Sequence, residues 1–502
     1  MDRSIRLKQE HETLRGALIA LALAVVFSLV FYACNTPLGP AIGSDNAMYL
    51  TMGTALSQGY APYTDIFDHK GPLLFILQMI PQLLAGGYST LAVFVQEVVF
   101  LWACLLILAR IARRLGVKAV LVQLVYLAVY APLTDGGNLT EEYTNLFTLV
   151  GLDVMLAVFG EGLTAEAEKH LTAPALCMGA MTALSFMTRA NNALVLVGAV
   201  GALALYLIVM KKWAGLGRCA RGFVLGLLLV TAPIAVWLAS QGALSDAVYG
   251  SLLHNMMYAE TQGQSRLRTL LFESYGHYAM FMAALSCLGA ACAAVRTKRL
   301  ALPLAMAAGA ACGGFAAFIS HKFYNHYLML SVPMAALGAA QVLALLRERM
   351  PRYLRAASLA AAAVSVLALA VSGAAVNAQR EADDAAMQAL TPDAQALYAQ
   401  VPEDERDAFM AYRVEPKWYV AAQALPCMRF YFLQEILADA DPAVMDEIIA
   451  EFEHDPPKWL VLYYNREFGP PYDARVAEIF DTRYEFVDVR GEYQLKRLKE
   501  AP

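Results

Sequence analysis

The sequence predicts an all-α polytopic membrane protein with a small C-terminal α/β domain outside the membrane. Three observations predict it. The 502-residue chain is 59% hydrophobic and 16% charged, with a mean hydropathy of +0.48, where a soluble domain carries about 25% charge. This excludes a soluble enzyme, a disordered chain and a small disulfide scaffold. The apolar residues fall in runs near the ~20 residues that a spanning helix needs. The net charge of −5 divides unevenly: residues 1–376 carry 25 Lys/Arg against 18 Asp/Glu, and residues 377–502 carry 13 against 25. A weakly basic apolar body (1–376) therefore precedes an acidic tail (377–502), and the two parts fit different environments.

Eleven spans are expected, at about 15–34, 88–109, 118–133, 142–160, 173–188, 190–210, 222–240, 277–295, 300–319, 325–346 and 354–376. Arg189 and two asparagines interrupt the fifth and sixth. The first span has a basic start but no small-residue cleavage site after it, so it reads as retained rather than as a signal peptide. Orientation follows from the excess of positive charge in cytoplasmic loops. With the N-terminus in the cytoplasm, the inner segments hold 20 Lys/Arg and the outer ones five: Lys70, Arg189, Arg266, Arg268 and Lys322. The tail then lies outside the cytoplasm. The apolar stretch 72–86 is too short to span and reads as a helix at the outer surface or partly re-entrant. Seven of the eight cysteines fall in or beside spans, and none has metal-ligand spacing, so no disulfide framework is expected.

The outer segments hold three polar clusters. The first runs Gly43-Ser44-Asp45-Asn46 and on through Tyr63, Asp65, Asp68, His69 and Lys70. Ser44 or Asp45 can cap a helix that ends near Gly59. Met48, Met52, Ala55 and Leu56 share one face of it, which predicts an amphipathic helix on the membrane surface with Asp45 at the water boundary. Asp45 reads either as that cap alone or as a chemical group; Lys70 reads as a surface charge or an anion site. The second cluster is Asp135-Gly-Gly-Asn-Leu-Thr140-Glu141-Glu142, where a Thr cap and two first-turn acids are also ordinary helix-start chemistry. The third holds His321, Lys322, His326 and Tyr327. Its two histidines are spaced i, i+5 and do not share a helix face, so a donor-rich anion edge is the better reading than a metal site. Arg189 stands in apolar surroundings, where a charge is costly and is paired or functional; Glu97 and Asp153 are possible partners for it or for each other.

These clusters, in this order, resemble the GT-C superfamily of membrane glycosyltransferases, with protein O-mannosyltransferases and lipid A aminoarabinose transferases as the nearer families. The segments that carry the resemblance are SDNAMYLTMGTALSQGYAPYTDIFDHKGPL, NLTEEYTNLF, FYNHYLMLSVP and, more loosely, TRANN. The resemblance covers about residues 15–345. The chain departs from the pattern in having Asp45-Asn46 where the mannosyltransferases have an acidic pair, and Lys70-Gly71-Pro72 where many relatives have Lys-Pro-Pro. The resemblance implies a sugar donor on polyprenyl phosphate and a single inverting displacement. A carboxylate would remove the acceptor proton, a role assigned to Asp45, with Glu141 or Glu142 orienting hydroxyls. Cations would hold the phosphate: Lys70, Arg189, Lys322 and His326. Tyr63, Asp65, Asp68, His69, His321 and Tyr327 complete the expected substrate contacts. No cofactor is expected, and a metal-independent reaction is favoured with a divalent metal left open. The expected partners are the bilayer, the lipid-linked donor and an acceptor of undetermined kind, with no nucleic acid; the expected location is a bacterial cytoplasmic membrane.

In the tail, Arg380–Gln400 reads as a helical linker. Strands are expected at 408–412 and 459–464, helices at 433–438, 442–452 and 473–480, and a hairpin at 484–489 and 493–498 around Gly491. No nucleophile motif or phosphate loop occurs there, and the domain reads as a cap or an acceptor-binding part. A transporter or flippase would show paired half-repeats and broken midplane helices, and a polysaccharide polymerase or ligase would carry a larger Arg-rich outer loop. Neither pattern is present, which favours the transferase.

Overall fold

The computed structural model describes residues 3–160, 162–260, 265–320, 322–463 and 473–500. Among the described residues, nine helices are long and apolar enough to cross a membrane, from Thr13–Phe31 to Pro351–Tyr398. Helices lie at the other two expected positions, Ala119–Leu133 and Thr172–Thr188, but like Pro72–Ala85 they are shorter than these nine. The protein is thus an all-α polytopic membrane protein with a small C-terminal α/β domain. All eight cysteines are free thiols.

The chain divides into two compact units. The first comprises Met1–Ala33, Phe94–Ile234 and Gln262–Ala378. Lipid offers no hydrophobic drive for helices to associate, so close approach through small residues has to do the work. A Cβ on Gly289 would meet Gly338 Cα at 2.2 Å, and one on Gly198 would meet Ala308 O at 2.7 Å. Gly222 and Gly226 bring helix Trp213–Ser240 onto helix Thr172–Thr188, where their Cβ atoms would lie 2.2 Å from Thr172 O and 2.1 Å from Leu176 O. The fifth and sixth spans are interrupted where expected: helix Thr172–Thr188 ends at Arg189, a 3₁₀ turn covers Ala190–Ala193, and helix Leu194–Val209 follows. Asp153 pairs with neither Glu97 nor Arg189. Its carboxylate takes Arg110 at 3.0 Å and Arg114 at 2.7 Å, because it lies toward the C-terminal end of its span, beside that basic cluster.

The second unit comprises Cys34–Val93, Ala235–Thr261 and Gln379–Pro502, so two other segments join the tail. Helix Ser44–Ser57 corrects one expectation: residues 46–56 are buried on every face, and it is not an amphipathic surface helix. Helix Pro72–Ala85 covers one side, packed so closely that a Cβ on Gly53 would meet Gln78 O at 2.5 Å, and helix Pro416–Ala422 covers another. Neither Ser44 nor Asp45 caps the helix, since Gly43 holds the cap position and no side chain bonds there. Likewise Thr140 is inside its helix and Leu139 is the cap, without a side-chain bond. A π-helical turn, Tyr249–His254, backs the loop after Ser44–Ser57: Gly250 lies against the Phe67 and Tyr63 rings, and Asn255 donates to His69 O at 2.5 Å.

The tail elements form where the sequence places them. Strands β1 (Phe409–Tyr412), β2 (Trp459–Tyr463), β3 (Tyr484–Arg490) and β4 (Tyr493–Leu498) make one sheet in the order β1-β2-β4-β3. β1 and β2 are parallel, which requires a crossover, and helices Gln434–Ala440 and Ala443–His454 lie within it. β3 and β4 form the expected antiparallel hairpin through Gly491 at φ +51°, with an irregularity between Phe486 and Asp488. The expected linker is not a separate element but the end of the unbroken helix Pro351–Tyr398.

The glycine contacts yield a direct test. Gly226→Leu forces a side chain into the Leu176 carbonyl, and overpacking of this kind costs about 1–3 kcal/mol or more. The variant should lose thermal stability and monodisperse elution. Gly201→Leu, where a Cβ meets nothing within 4 Å, should behave as the wild type.

Candidate active site

Each unit holds polar side chains that the sequence singles out. In the second unit, Asp45 is the second residue of helix Ser44–Ser57, exposed while the residues after it are buried. A carboxylate there is favoured by the positive end of the helix. Ser44 and Asp45 line a pocket of about 250 Å³ whose other walls come from residues 413–416 and 432–436 of the tail. The Ser44 hydroxyl donates to Glu415 Oε2 at 3.2 Å, and Arg413 Nε lies 3.0 Å from Glu435 Oε1. Gln434 is fully buried; its amide nitrogen donates to Phe430 O at 3.2 Å, and its Oε1 accepts no hydrogen bond from the protein. Burial holds the Glu435 carboxyl above the usual range, with Arg413 opposing. The pocket therefore offers carboxylates, an amide and a guanidinium beside the apolar Val414, Phe432, Leu433 and Ile436. Such a set suits a ligand with both hydroxyls and an apolar part.

Behind Asp45 the loop is wound around Lys70. Tyr63 donates its hydroxyl to Lys70 O at 2.7 Å, and the Lys70 backbone N–H donates to Asp68 Oδ1 at 2.7 Å. Lys70 Nζ lies 3.1 Å from His69 Nε2, 3.9 Å from Asp68 Oδ1 and 5.9 Å from the centre of the Tyr49 ring. Asp65 accepts from Ala61 N–H at 2.7 Å. Tyr63, Asp65 and Asp68 thus shape the loop, and Lys70 and His69 are buried within it. Burial pushes the Asp68 carboxyl up; the Lys70 charge and backbone bond oppose this, and the Asp45 charge adds to the rise. His254, fully buried and held down by burial, places its ring 6.2 Å from that of His69.

In the first unit, Arg189 occupies the helix break. Its guanidinium donates to Glu141 Oε1 at 3.2 Å and to the Tyr327 hydroxyl at 3.0 Å, and it lies 4.4 Å from the centre of the Tyr327 ring. The break is sewn shut by Asn192 donating to Thr144 at 3.0 Å and by the Thr144–Thr188 hydroxyl pair at 3.0 Å. His326 Nδ1 lies 3.1 Å from Asp135 Oδ2, and that bond lowers the Asp135 carboxyl. Lys322 is half-buried, and desolvation lowers its ammonium. Glu142 serves the preceding loop: it accepts from Asn138 N–H at 3.1 Å and steadies residues 135–138, all at positive φ. Glu142 and Glu97 line one small buried cavity. His321 lies outside the described residues.

Among the described residues, no group of three or more His, Cys, Asp or Glu side chains could hold a metal ion. The sequence reading missed Arg413, Glu415, Gln434 and Glu435. They are ordinary polar residues of a tail without a motif, and only the fold carries them to Asp45. Asp135 was read as part of its loop but not as the partner of His326.

A search of curated protein sequences gives no match. Solved structures do match. Two of ArnT from Cupriavidus metallidurans, one bound to undecaprenyl phosphate and one in the apo state, are 13% and 15% identical with TM-scores of 0.63 and 0.61; each comparison covers 95% of this chain and 97% of the other. The archaeal oligosaccharyltransferase AglB from Archaeoglobus fulgidus, in complex with an inhibitory peptide and a dolichol-phosphate, is 12% identical with a TM-score of 0.52, covering 90% of this chain and 69% of the other. The chain therefore shares the fold of these structures. The family model described as "Putative competence-induced protein Ccs4 N-terminal domain" matches residues 4–369, and the chain belongs to this competence-induced Ccs4 family.

Proposed function

We propose that the protein is an inverting glycosyltransferase that moves a sugar from a polyprenyl-phosphate donor to an acceptor hydroxyl, on the outer face of a bacterial cytoplasmic membrane. The observation that carries this reading is Asp45, a solvent-facing carboxylate on an otherwise buried helix start, opening into a pocket with hydroxyl-binding groups on its far wall. The acceptor hydroxyl attacks the sugar C1 while Asp45 takes its proton. The bond from C1 to the phosphate oxygen breaks, and polyprenyl phosphate leaves without needing a general acid. Lys70 offsets the charge that develops on the phosphate. Arg413, Gln434 and Glu435 hold the acceptor. The donor class is supported by the lipids in the similar structures, undecaprenyl phosphate in ArnT and dolichol-phosphate in AglB. The cytoplasmic placement of the N-terminus rests on the distribution of Lys and Arg. Arg189, Lys322 and His326 are proposed as further phosphate contacts, and Glu141 as a group that orients hydroxyls through its pairing with Arg189.

Purified enzyme incubated with a panel of polyprenyl-phosphate sugars and a membrane extract should consume one of them. Asp45→Asn should lower that turnover by about 10²–10⁴-fold, with unchanged elution and thermal unfolding; full activity in this variant overturns the assignment. Lys70→Ala should raise the donor KM.

Asp68 gives a pH test. Its folded pKa is raised, so folding favours its protonated form; the stability it contributes is present at low pH and is lost as pH rises through the folded value. Asp68→Asn keeps an oxygen for the Lys70 N–H and removes the buried charge. Its melting temperature should exceed that of the wild type at pH above the folded pKa of Asp68, and the gap should close as pH falls below it.

Arg189→Ala leaves Glu141 buried without its cation, a loss of about 3–5 kcal/mol. The double variant Arg189→Ala/Glu141→Gln should recover most of that stability in thermal unfolding. It should still bind the donor more weakly than the wild type if Arg189 contacts phosphate.

A further inference from the structure

We propose that segment 244–257 of the second unit is seated in the bilayer interface, with an apolar stripe in lipid and its opposite face carrying the loop that holds Lys70. The segment comprises helix Leu244–Val248, the π-helical turn Tyr249–His254 and the start of helix Asn255–Glu260. Its two faces differ. Ala247, Gly250 and His254 are buried on one side, in line with Ala243 before them. Leu244, Val248, Leu253 and Met256 are 40–66% exposed. In an α-helix neighbours on one face are three or four apart, so Leu253 would turn away from Val248. The π turn winds wider, bonding residues five apart, and returns Leu253 to the same side. Four large apolar side chains in one exposed stripe mark an interaction surface, and the stripe carries no charge.

The choice of lipid as the occupant rests on what precedes the segment. Helix Trp213–Ser240 is long and apolar enough to span a membrane, and its last turns, from Ala235, belong to the same unit. Val236 in those turns is exposed. The chain then turns tightly: Gly242 takes φ +71°, and the Ala243 N–H donates to Leu238 O at 2.9 Å, a glycine-terminated helix end. Leu244 is four residues past Ser240, a reach of at most about 14 Å. The stripe therefore begins where the span meets the bilayer surface, and an apolar helix face lying there sinks ~5–10 Å into the boundary of headgroups and acyl chains. The opposite face is engaged with the loop. The Thr64 hydroxyl donates to Asp246 Oδ2 at 3.0 Å, the Phe67 ring lies 5.7 Å from that of His254, and Asn255 donates to His69 O at 2.5 Å. The Lys70 loop is thereby held one helix diameter, ~10 Å, from the lipid. This seat rests on packing and exposure and does not depend on which reaction Lys70 serves.

The test uses the full-length protein in nanodiscs of phosphatidylcholine and phosphatidylglycerol. A fluorescent amino acid, introduced by codon suppression so that the native thiols stay unlabelled, replaces Val248, Leu253 or Met256 in turn. Leu229, exposed and about 16 Å along its helix from Ser240, reports the bilayer interior, and the exposed Glu453 of the tail reports water. Lipids carrying a nitroxide near the headgroup or at the chain end then quench each probe. The headgroup-side nitroxide should quench the probes at Val248, Leu253 and Met256 more than the chain-end one does. The order should reverse at Leu229, and Glu453 should lose little fluorescence to either. The three positions are exposed and are read separately, so one variant that fails to fold leaves two. Absence of quenching at all of them overturns the proposal; if the mass of the particle then shows two chains, the stripe belongs to a second copy. Chain-end quenching as strong as at Leu229 also overturns it, because the segment would then be re-entrant rather than interfacial.

Discussion

Charge can enter an apolar body only when it is paired, and this constraint orders most of the polar chemistry in the chain. Arg189 is tolerated because Glu141 and the Tyr327 hydroxyl meet it, with the Tyr327 ring beneath. Asp153 is tolerated because Arg110 and Arg114 close on it. Lys70 is buried with Asp68 and His69 beside it. Once these partners are assigned, the carboxylates separate into two kinds. Asp68, Asp153, Glu141 and Glu142 are engaged within the fold; Asp45 faces a pocket.

The same logic governs the backbone. A helix that ends inside an apolar body leaves amide and carbonyl groups that apolar surroundings cannot satisfy. At Arg189 the backbone groups find partners in the 3₁₀ turn Ala190–Ala193: the Arg189 N–H donates to Ser185 O at 3.3 Å, the Asn192 N–H donates to Arg189 O at 2.9 Å, and the Thr188 hydroxyl donates to Ser185 O at 2.7 Å. The break fixes the Arg189 guanidinium between two other segments of its unit. Elsewhere the helices gain proximity through glycine, and where glycine gives way to ordinary small side chains the packing opens, as around Ala175 and Cys219.

Much of this was legible in the sequence, because the signals are local. Apolar run length gave the spans, the Arg-Ala-Asn-Asn interruption gave the break, and alternation with Gly491 gave the β3–β4 hairpin. What failed depended on tertiary burial. The Met48/Met52/Leu56 face looked amphipathic, but helices Pro72–Ala85 and Pro416–Ala422 come from distant parts of the chain to cover the rest of Ser44–Ser57. Thr140 looked like a cap because threonine often is one, yet Leu139 holds that position. Asp153 was weighed against Arg189 on apolar context alone, whereas its place along the helix beside Arg110 and Arg114 decides its partner.

The tail shows why a site can be half legible. Asp45 and Lys70 stand in a segment whose order of residues is distinctive; Arg413, Gln434 and Glu435 do not, yet they form the opposite wall of the same pocket. Asp45, the proposed proton acceptor, is reachable because it lies at the exposed start of a helix whose residues 46–56 are buried. An acceptor site is freer: any fixed set of hydroxyl-binding groups at the right distance serves. The constraint on residue type is therefore strong on the Asp45 side and weak on the tail side. Chemistry of the first kind leaves a readable pattern, and recognition of the second kind becomes visible only when the chain is folded.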